Sequence, residues 1–197
     1  MTDTVYNGAP PYETVKWDTA SKKAQGGLFL GYNMQRGATV YGIEAGLAHH
    51  AMSETALQPG VDIYGDPYDL SAVLKGGTSS ALSLRLGHAR DRNLFYLKAG
   101  AIYSDAKIGL SDSCVVSPCG DTLLETEAKL GWGYQLGLGV EHALADDWSL
   151  RAEYTYADFG KTKLRGDGND GFFDGVAFDF PAKLSTQSLS IGVSYRF

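Results

Sequence analysis

Eight ionisable residues share one local arrangement. Each is flanked, two positions away, by glycine, serine, an aromatic or another ionisable residue. Glu44 stands between Gly42 and Gly46, Arg85 between Ser83 and Gly87, and Lys98 between Tyr96 and Gly100. Lys129 precedes Gly131, Glu141 follows Gly139, Arg151 lies between Ser149 and Glu153, and Arg196 follows Ser194. An arginine and a glutamate two apart, such as Arg151 and Glu153, could serve acid–base chemistry. On a glycine-lined face they read instead as packed opposite charges. His49, His50, His88 and His142 are scattered, which suits no metal site, and none is assigned. "GDGNDG" carries Asp167, Asn169 and Asp170 but lacks the ligand spacing and closing glutamate of a calcium loop, so it reads as a turn. Cys114 and Cys119 lie close together with no metal-ligating partner nearby. They read as a small loop disulfide, which fits an oxidising compartment.

The elements that must position these charges are strands. The chain has 197 residues, enough for one domain. Apolar residues make up 44%, and no run reaches the ~20 residues of a transmembrane helix. Twelve Tyr, eight Phe, three Trp and 25 Gly favour β-structure, while a net charge of −6 argues against a nucleic-acid partner. "MTDTVYNG" has neither the basic start nor the apolar run of a secretory leader.

Strict alternation recurs in seven stretches, each with one apolar and one polar face. "SLSIGVSYRF" sets Leu189, Ile191, Val193, Tyr195 and Phe197 against Ser188, Ser190, Gly192, Ser194 and Arg196. "AKLGWGYQLGLGVEHAL" sets Leu130, Trp132, Tyr134, Leu136, Leu138 and Val140 against Lys129, Gly131, Gly133, Gln135 and Glu141. "DWSLRAEYTYADFG", "NLFYLKAGAIYSDAKIGL", "SALSLRLGHAR", "ATVYGIEAGLAHH" and "GGLFLGYNMQ" behave alike.

The polar face decides between a soluble sheet and a membrane barrel. Glycines on a solvated face would only weaken the strands. Inside a narrow barrel they make room for long side chains, and opposite charges there can pair. Glu44, Glu141 and Glu153 are therefore expected to pair with cations among Arg85, Lys98, Lys129, Arg151 and Arg196. Short links ("QRGA", "ARDRN", "ALADD") alternate with long ones, as outer-membrane barrels require. Trp132, Tyr134, Trp148, Tyr154 and Tyr156 are expected in aromatic girdles, with Tyr195 and Phe197 in the lower belt.

On "GYNMQRGATVYGIEAGL", "GYQLGLGVEHALADDWSLRAEYTYADFGK" and "SLSIGVSYRF", the chain resembles the opacity and surface-antigen family of small outer-membrane barrels, which includes the 25- and 31-kDa-type proteins of α-proteobacteria. The resemblance implies an all-β, antiparallel up-and-down transmembrane barrel of OmpA-like, eight-stranded type. It also implies that Phe197, with Tyr195 two before it, is the signal read by the barrel assembly machinery. Seven strands are visible here. Residues 1–25 read as an external loop or N-terminal extension, and residues 26–197 as the barrel. Pro10 and Pro11 argue against a strand over residues 4–16. A missing first strand should leave the barrel gapped or squeezed between residues 26–35 and 188–197, with residues 1–22 loose outside. An N-terminal truncation is the expected reason for that missing strand.

The function expected is that of a non-enzymatic, cofactor-free surface barrel in the bacterial outer membrane, with a polar lumen largely filled by side chains. Its partners would be outer-membrane lipid and lipopolysaccharide, the assembly machinery, and host or phage surfaces met by the loops. A small passive porin is the alternative. A lipid A-modifying enzyme is a second, although no Ser lies two residues after His49, His88 or His142, as such barrels use.

Overall fold

A computed structural model describes residues 2–5, 13–16, 25–51, 53–61, 67–114, 122–167 and 177–197. Two four-residue strands, β1 (Thr2–Val5) and β2 (Glu13–Lys16), precede nine longer ones. These are β3 (Gln25–Arg36), β4 (Thr39–His50), β5 (Ser53–Val61), β6 (Pro67–Lys75), β7 (Thr78–Arg90), β8 (Asn93–Cys114), β9 (Thr122–Ala143), β10 (Trp148–Asp167) and β11 (Ala177–Tyr195). All pair antiparallel in one sheet of order β2-β1-β11-β10-β9-β8-β7-β4-β3, with β6 beside both β5 and β8.

β5 and β6 continue β4 and β7. His49 faces Thr78 at the end of one ladder, and Ser53 faces Lys75 at the start of the next. β6 and β7 then run in turn along the single long β8, through Lys75↔Lys107 and Ser79↔Ser104. Among the described residues the wall therefore has seven full strands, as the alternating stretches imply. The segment between β4 and β7, read from sequence as a connection, carries a paired extension of the wall instead. Three tight turns, at Gly37, Asp91 and residues 144–147, mark one end; Gly37 and Asp91 have positive φ there. The long connections leave from the other end. Residues 62–66, 115–121 and 168–176 lie outside the described set.

The predicted seam is open. β3 and β11 are not paired, and β3 is exposed along its whole length. The N-terminal residues differ from the loop expectation. β1 and β2 pair with each other, and β1 meets β11 at Thr2↔Lys183.

Two irregularities change what faces inward. The β8–β9 register shifts between Ser104 and Lys107, opposite Gly131 with φ +73°. The β10–β11 register shifts between Asp158 and Lys161, around Gly160 with φ +70°. Glycine adopts this left-handed conformation at no steric cost, which is what a bulge needs. Beyond Gly131 the parity of β9 inverts. Leu130, expected on the outer face, is buried, and Lys129, expected in the lumen, is exposed.

Candidate functional site

The lumen has two storeys. Toward the long connections, Ile102, Ala106 and Ile108 of β8 meet Leu130 of β9 and Ala157 and Phe159 of β10 in an apolar cluster. Toward the tight turns, the inner face is ionic. Alternation fixes this division, because Glu44, Arg85, Lys98, Arg151 and Glu153 all occupy inward positions of their strands.

Glu44, only 3% exposed, is the hub. Arg151 grips it through two parallel hydrogen bonds, Nη1 to Oε2 at 2.7 Å and Nη2 to Oε1 at 2.9 Å. Lys98 Nζ lies 3.2 Å from Glu44 Oε1, and Arg85 Nη1 lies 3.4 Å from Oε2. Glu153 pairs with Arg151, with Lys98 at 2.6 Å, and accepts from Tyr96 Oη at 2.7 Å. Arg85 Nη2 reaches Glu141 Oε2 at 2.7 Å, and Ser194 Oγ donates to Glu141 Oε1 at 3.1 Å. Three cations thus balance three carboxylates. The Arg151 guanidinium lies 4.3 Å from the Phe29 ring, and that of Arg85 lies 3.9 Å from the Tyr96 ring. Arg85 Nε is the one buried side-chain polar atom left without a partner among the described residues.

Glycines make this packing possible. A Cβ at Gly137 would meet Lys98 Cγ at 2.8 Å, and one at Gly139 would meet the Tyr96 hydroxyl at 2.4 Å. The two long side chains lie across bare backbone. A cavity of about 660 Å³ runs between the network, where Glu44, Lys98, Arg151 and Glu153 line it, and the seam, where Phe29 of β3 and Ser190 and Gly192 of β11 do.

Two residues expected in the network stand apart from it. Lys129 is turned outward by the Gly131 bulge. Arg196 is exposed at the tight-turn rim, where its Nη2 donates to the Asp146 carbonyl at 2.9 Å. Tyr96 and Phe29 were missed as members of the ionic site. Both sit at inward parity in otherwise polar rows, which was the available signal. His49, His50 and His142 bond to Thr78, Ser79 and Asn93 respectively, and no group of metal ligands forms among the described residues. Cys119 lies outside the described residues, as does the Cys114 side chain.

The outer face is apolar, with Trp132 72% and Leu84 70% exposed. Trp148 and Tyr195 touch at 5.0 Å near the tight turns, where Phe197 also lies. Trp132 packs on Tyr103 at 5.4 Å and Tyr134 on Tyr156 at 6.4 Å, toward the long connections. Tyr154 falls between these belts, paired with Leu138 and Leu189, and donates its hydroxyl to Gln187 at 2.8 Å.

A curled antiparallel wall with an apolar band outside, aromatics at both margins and ion pairs within is a transmembrane β-barrel of the bacterial outer-membrane type. The family profile described as outer membrane protein beta-barrel domain matches residues 4–197, and the chain belongs to that family. It is similar to the 25 kDa outer-membrane immunogenic protein of Brucella abortus, at 27% identity over 87% of this chain and 64% of the relative. The 22 kDa outer membrane protein of Rhizobium leguminosarum is 27% identical, over 87% of this chain and 65% of its own length. The 31 kDa outer-membrane immunogenic protein of Brucella melitensis is 26% identical over the same shares. The chain thus spans just under two thirds of the length of these relatives. No solved structure matches it. The protein is located in the bacterial outer membrane.

Proposed function

We propose that the protein is a non-enzymatic surface barrel that presents its long connections to the exterior, with its tight turns in the periplasm. The observation that carries this reading is the closed ion-pair network. Glu44 and Glu153, the most buried lumen carboxylates, are held by Arg85, Lys98 and Arg151 and by Lys98 and Arg151 respectively, the geometry of a strut rather than of a free base. The immunogenic proteins it resembles carry names consistent with surface display.

Antibodies raised against peptides of residues 62–66 and 168–176 should label intact cells, and lipid A from expressing cells should keep its mass spectrum. Labelling that requires permeabilised cells would overturn the orientation. A changed lipid A mass would overturn the non-enzymatic assignment. The 660 Å³ cavity supports a second reading, a small passive pore. Large steady currents in planar bilayers would favour it, whereas near-silent recordings fit a lumen blocked by side chains.

A further inference from the structure

The lumen cavity is graded along its length. Its volume, about 660 Å³, falls in the ~300–1,000 Å³ range of small-molecule sites. Toward the long connections Ile102, Leu130, Phe159 and Leu184 line it, an apolar lining in which a water would lack the polar partners it needs. At mid-height Ser79, Ser83, Ser104 and Gln135 form a shelf, each at most 6% exposed. His50 Nε2 lies 2.9 Å from Ser79 Oγ, Ser79 Oγ donates to Ser104 Oγ at 3.5 Å, and Gln135 Nε2 donates to Ser83 Oγ at 2.7 Å. A hydroxyl carries one proton and two lone pairs, so the shelf keeps capacity for a further partner. At the floor Glu44, Lys98, Arg151 and Glu153 pair with one another, two carboxylates with two cations. The mouth is the unpaired seam. Leu28 and Leu30 of β3 and Leu189 and Ile191 of β11 flank it, 65–80% exposed on the face that meets hydrocarbon.

We propose that this cavity binds an uncharged single-chain amphiphile, an alkyl chain ending in a hydroxyl, that enters sideways from the membrane through the seam. The chain lies against Ile102, Leu130 and Phe159, and the hydroxyl joins the Ser79–Ser104 shelf. Filling the space restores dispersion contacts that the lining of an empty cavity forfeits. The hydroxyl adds selectivity, because hydrocarbon at that depth offers it no hydrogen-bond partner and the shelf does. The floor excludes a charged head. Its carboxylates and cations already match, so an added ion would be buried unpaired. A continuous water column is the poorer occupant, since the apolar lining above the shelf gives it nothing to bond. The proposal needs neither the surface role nor the orientation proposed above.

The test is photolabelling of the folded protein in phosphatidylcholine vesicles with decanol carrying a diazirine in its chain. Labelled residues are mapped by tandem mass spectrometry, and folding is checked by heat-modifiable gel migration. Leu130 and Phe159, which face inward, should be labelled. Excess unlabelled decanol should suppress that labelling more than labelling of the outward Leu84 and Leu97. Decyl sulfate, with the same chain and a charged head, should not. Gly46 supplies a blocking variant. It lines the cavity, and a Cβ there would meet nothing within 4 Å, so Gly46→Phe extends into open space. Inward labelling should fall roughly tenfold in that variant, as in an overfilled site, with outward labelling unchanged. Labelling confined to outward residues in the folded parent overturns the proposal. So does inward labelling that survives excess decanol or a folded Gly46→Phe. Equal suppression by decyl sulfate overturns the uncharged class. The competition in the parent decides the matter even where Gly46→Phe fails to fold.

Discussion

Replacing Arg151 with leucine should expose how the lumen is held together. Arg151 is 5% exposed and supplies two hydrogen bonds to Glu44 and one to Glu153. Its loss leaves two cations facing three carboxylates. Glu44 keeps only the longer contacts, Lys98 at 3.2 Å and Arg85 at 3.4 Å. Each charge-assisted bond is worth about 1.5–3 kcal/mol. Lys98 and Tyr96 go on serving Glu153, so the loss is less than the sum of three bonds. Breaking a buried pair from one side costs about 3–5 kcal/mol, and that is the expected destabilisation. Adding Glu44→Gln restores two cations to two carboxylates. The double variant should regain part of the loss, with a coupling of about 1–3 kcal/mol. Urea unfolding of protein refolded into vesicles, followed by tryptophan fluorescence and gel migration, measures both. A single-variant cost below about 1 kcal/mol, or strictly additive losses, would refute the network as a buried strut.

Three further outcomes follow from the same geometry. Leu138→Arg, on the apolar band, should cost about 2–4 kcal/mol if it sits near the midplane, read by the same urea titration. Leu130→Ala should also destabilise, by about 2–4 kcal/mol, because Leu130 packs inward against Ile108 and Phe159 rather than against lipid; a neutral result would return it to the outer face. Hydrogen bonds from Lys75 and then Lys107 hold the Glu127 carboxyl below the usual glutamate range. Its support is therefore fully present above about pH 4.3 and lost as pH falls through the lower folded value. The difference in melting temperature between parent and Glu127→Gln should stay constant from about pH 6 to 8 and shrink below about 4.

The alternation of apolar and polar residues carries most of the wall, because a strand's period of two writes the facing of each side chain directly into the chain. Glu44, Arg85, Lys98, Glu141, Arg151 and Glu153 were legible as one inward set for that reason. Their exact partners were not, since pairing depends on strand stagger, which alternation does not encode. Lys129 and Leu130 show where the pattern fails. Gly131 looks like one more small inward residue among Gly133, Gly137 and Gly139, yet its positive φ inverts the facing of Lys129 and Leu130 just before it. Nothing in residue type separates a glycine chosen for its missing Cβ from one chosen for its φ.

The two bulges together account for the character of the upper barrel. Without the irregularity at Gly131, Lys129 would point into the lumen beside the cluster around Ile108, and Leu130 would face outward. Without the one at Gly160, Lys161 would share the inward parity of Phe159; instead it pairs with the exposed Lys183. Each of these lysines would then be a charge buried among apolar side chains with no counter-ion, at a cost of several kcal/mol. The glycine bulges instead send leucine inward and lysine outward at the height where the wall leaves the hydrocarbon. One backbone device on two strands therefore ends the ionic lumen, sets an apolar cluster beyond it and turns lysines outward. Substituting Gly131 with valine should disrupt all three features together. A β-branched residue resists the positive φ, so β9 is driven back to regular parity. The expected sign is loss of the gel heat-modifiability that marks the folded barrel. A folded Gly131→Val protein in which amine-reactive reagents still reach Lys129 would separate the facing of that lysine from the bulge and defeat the argument.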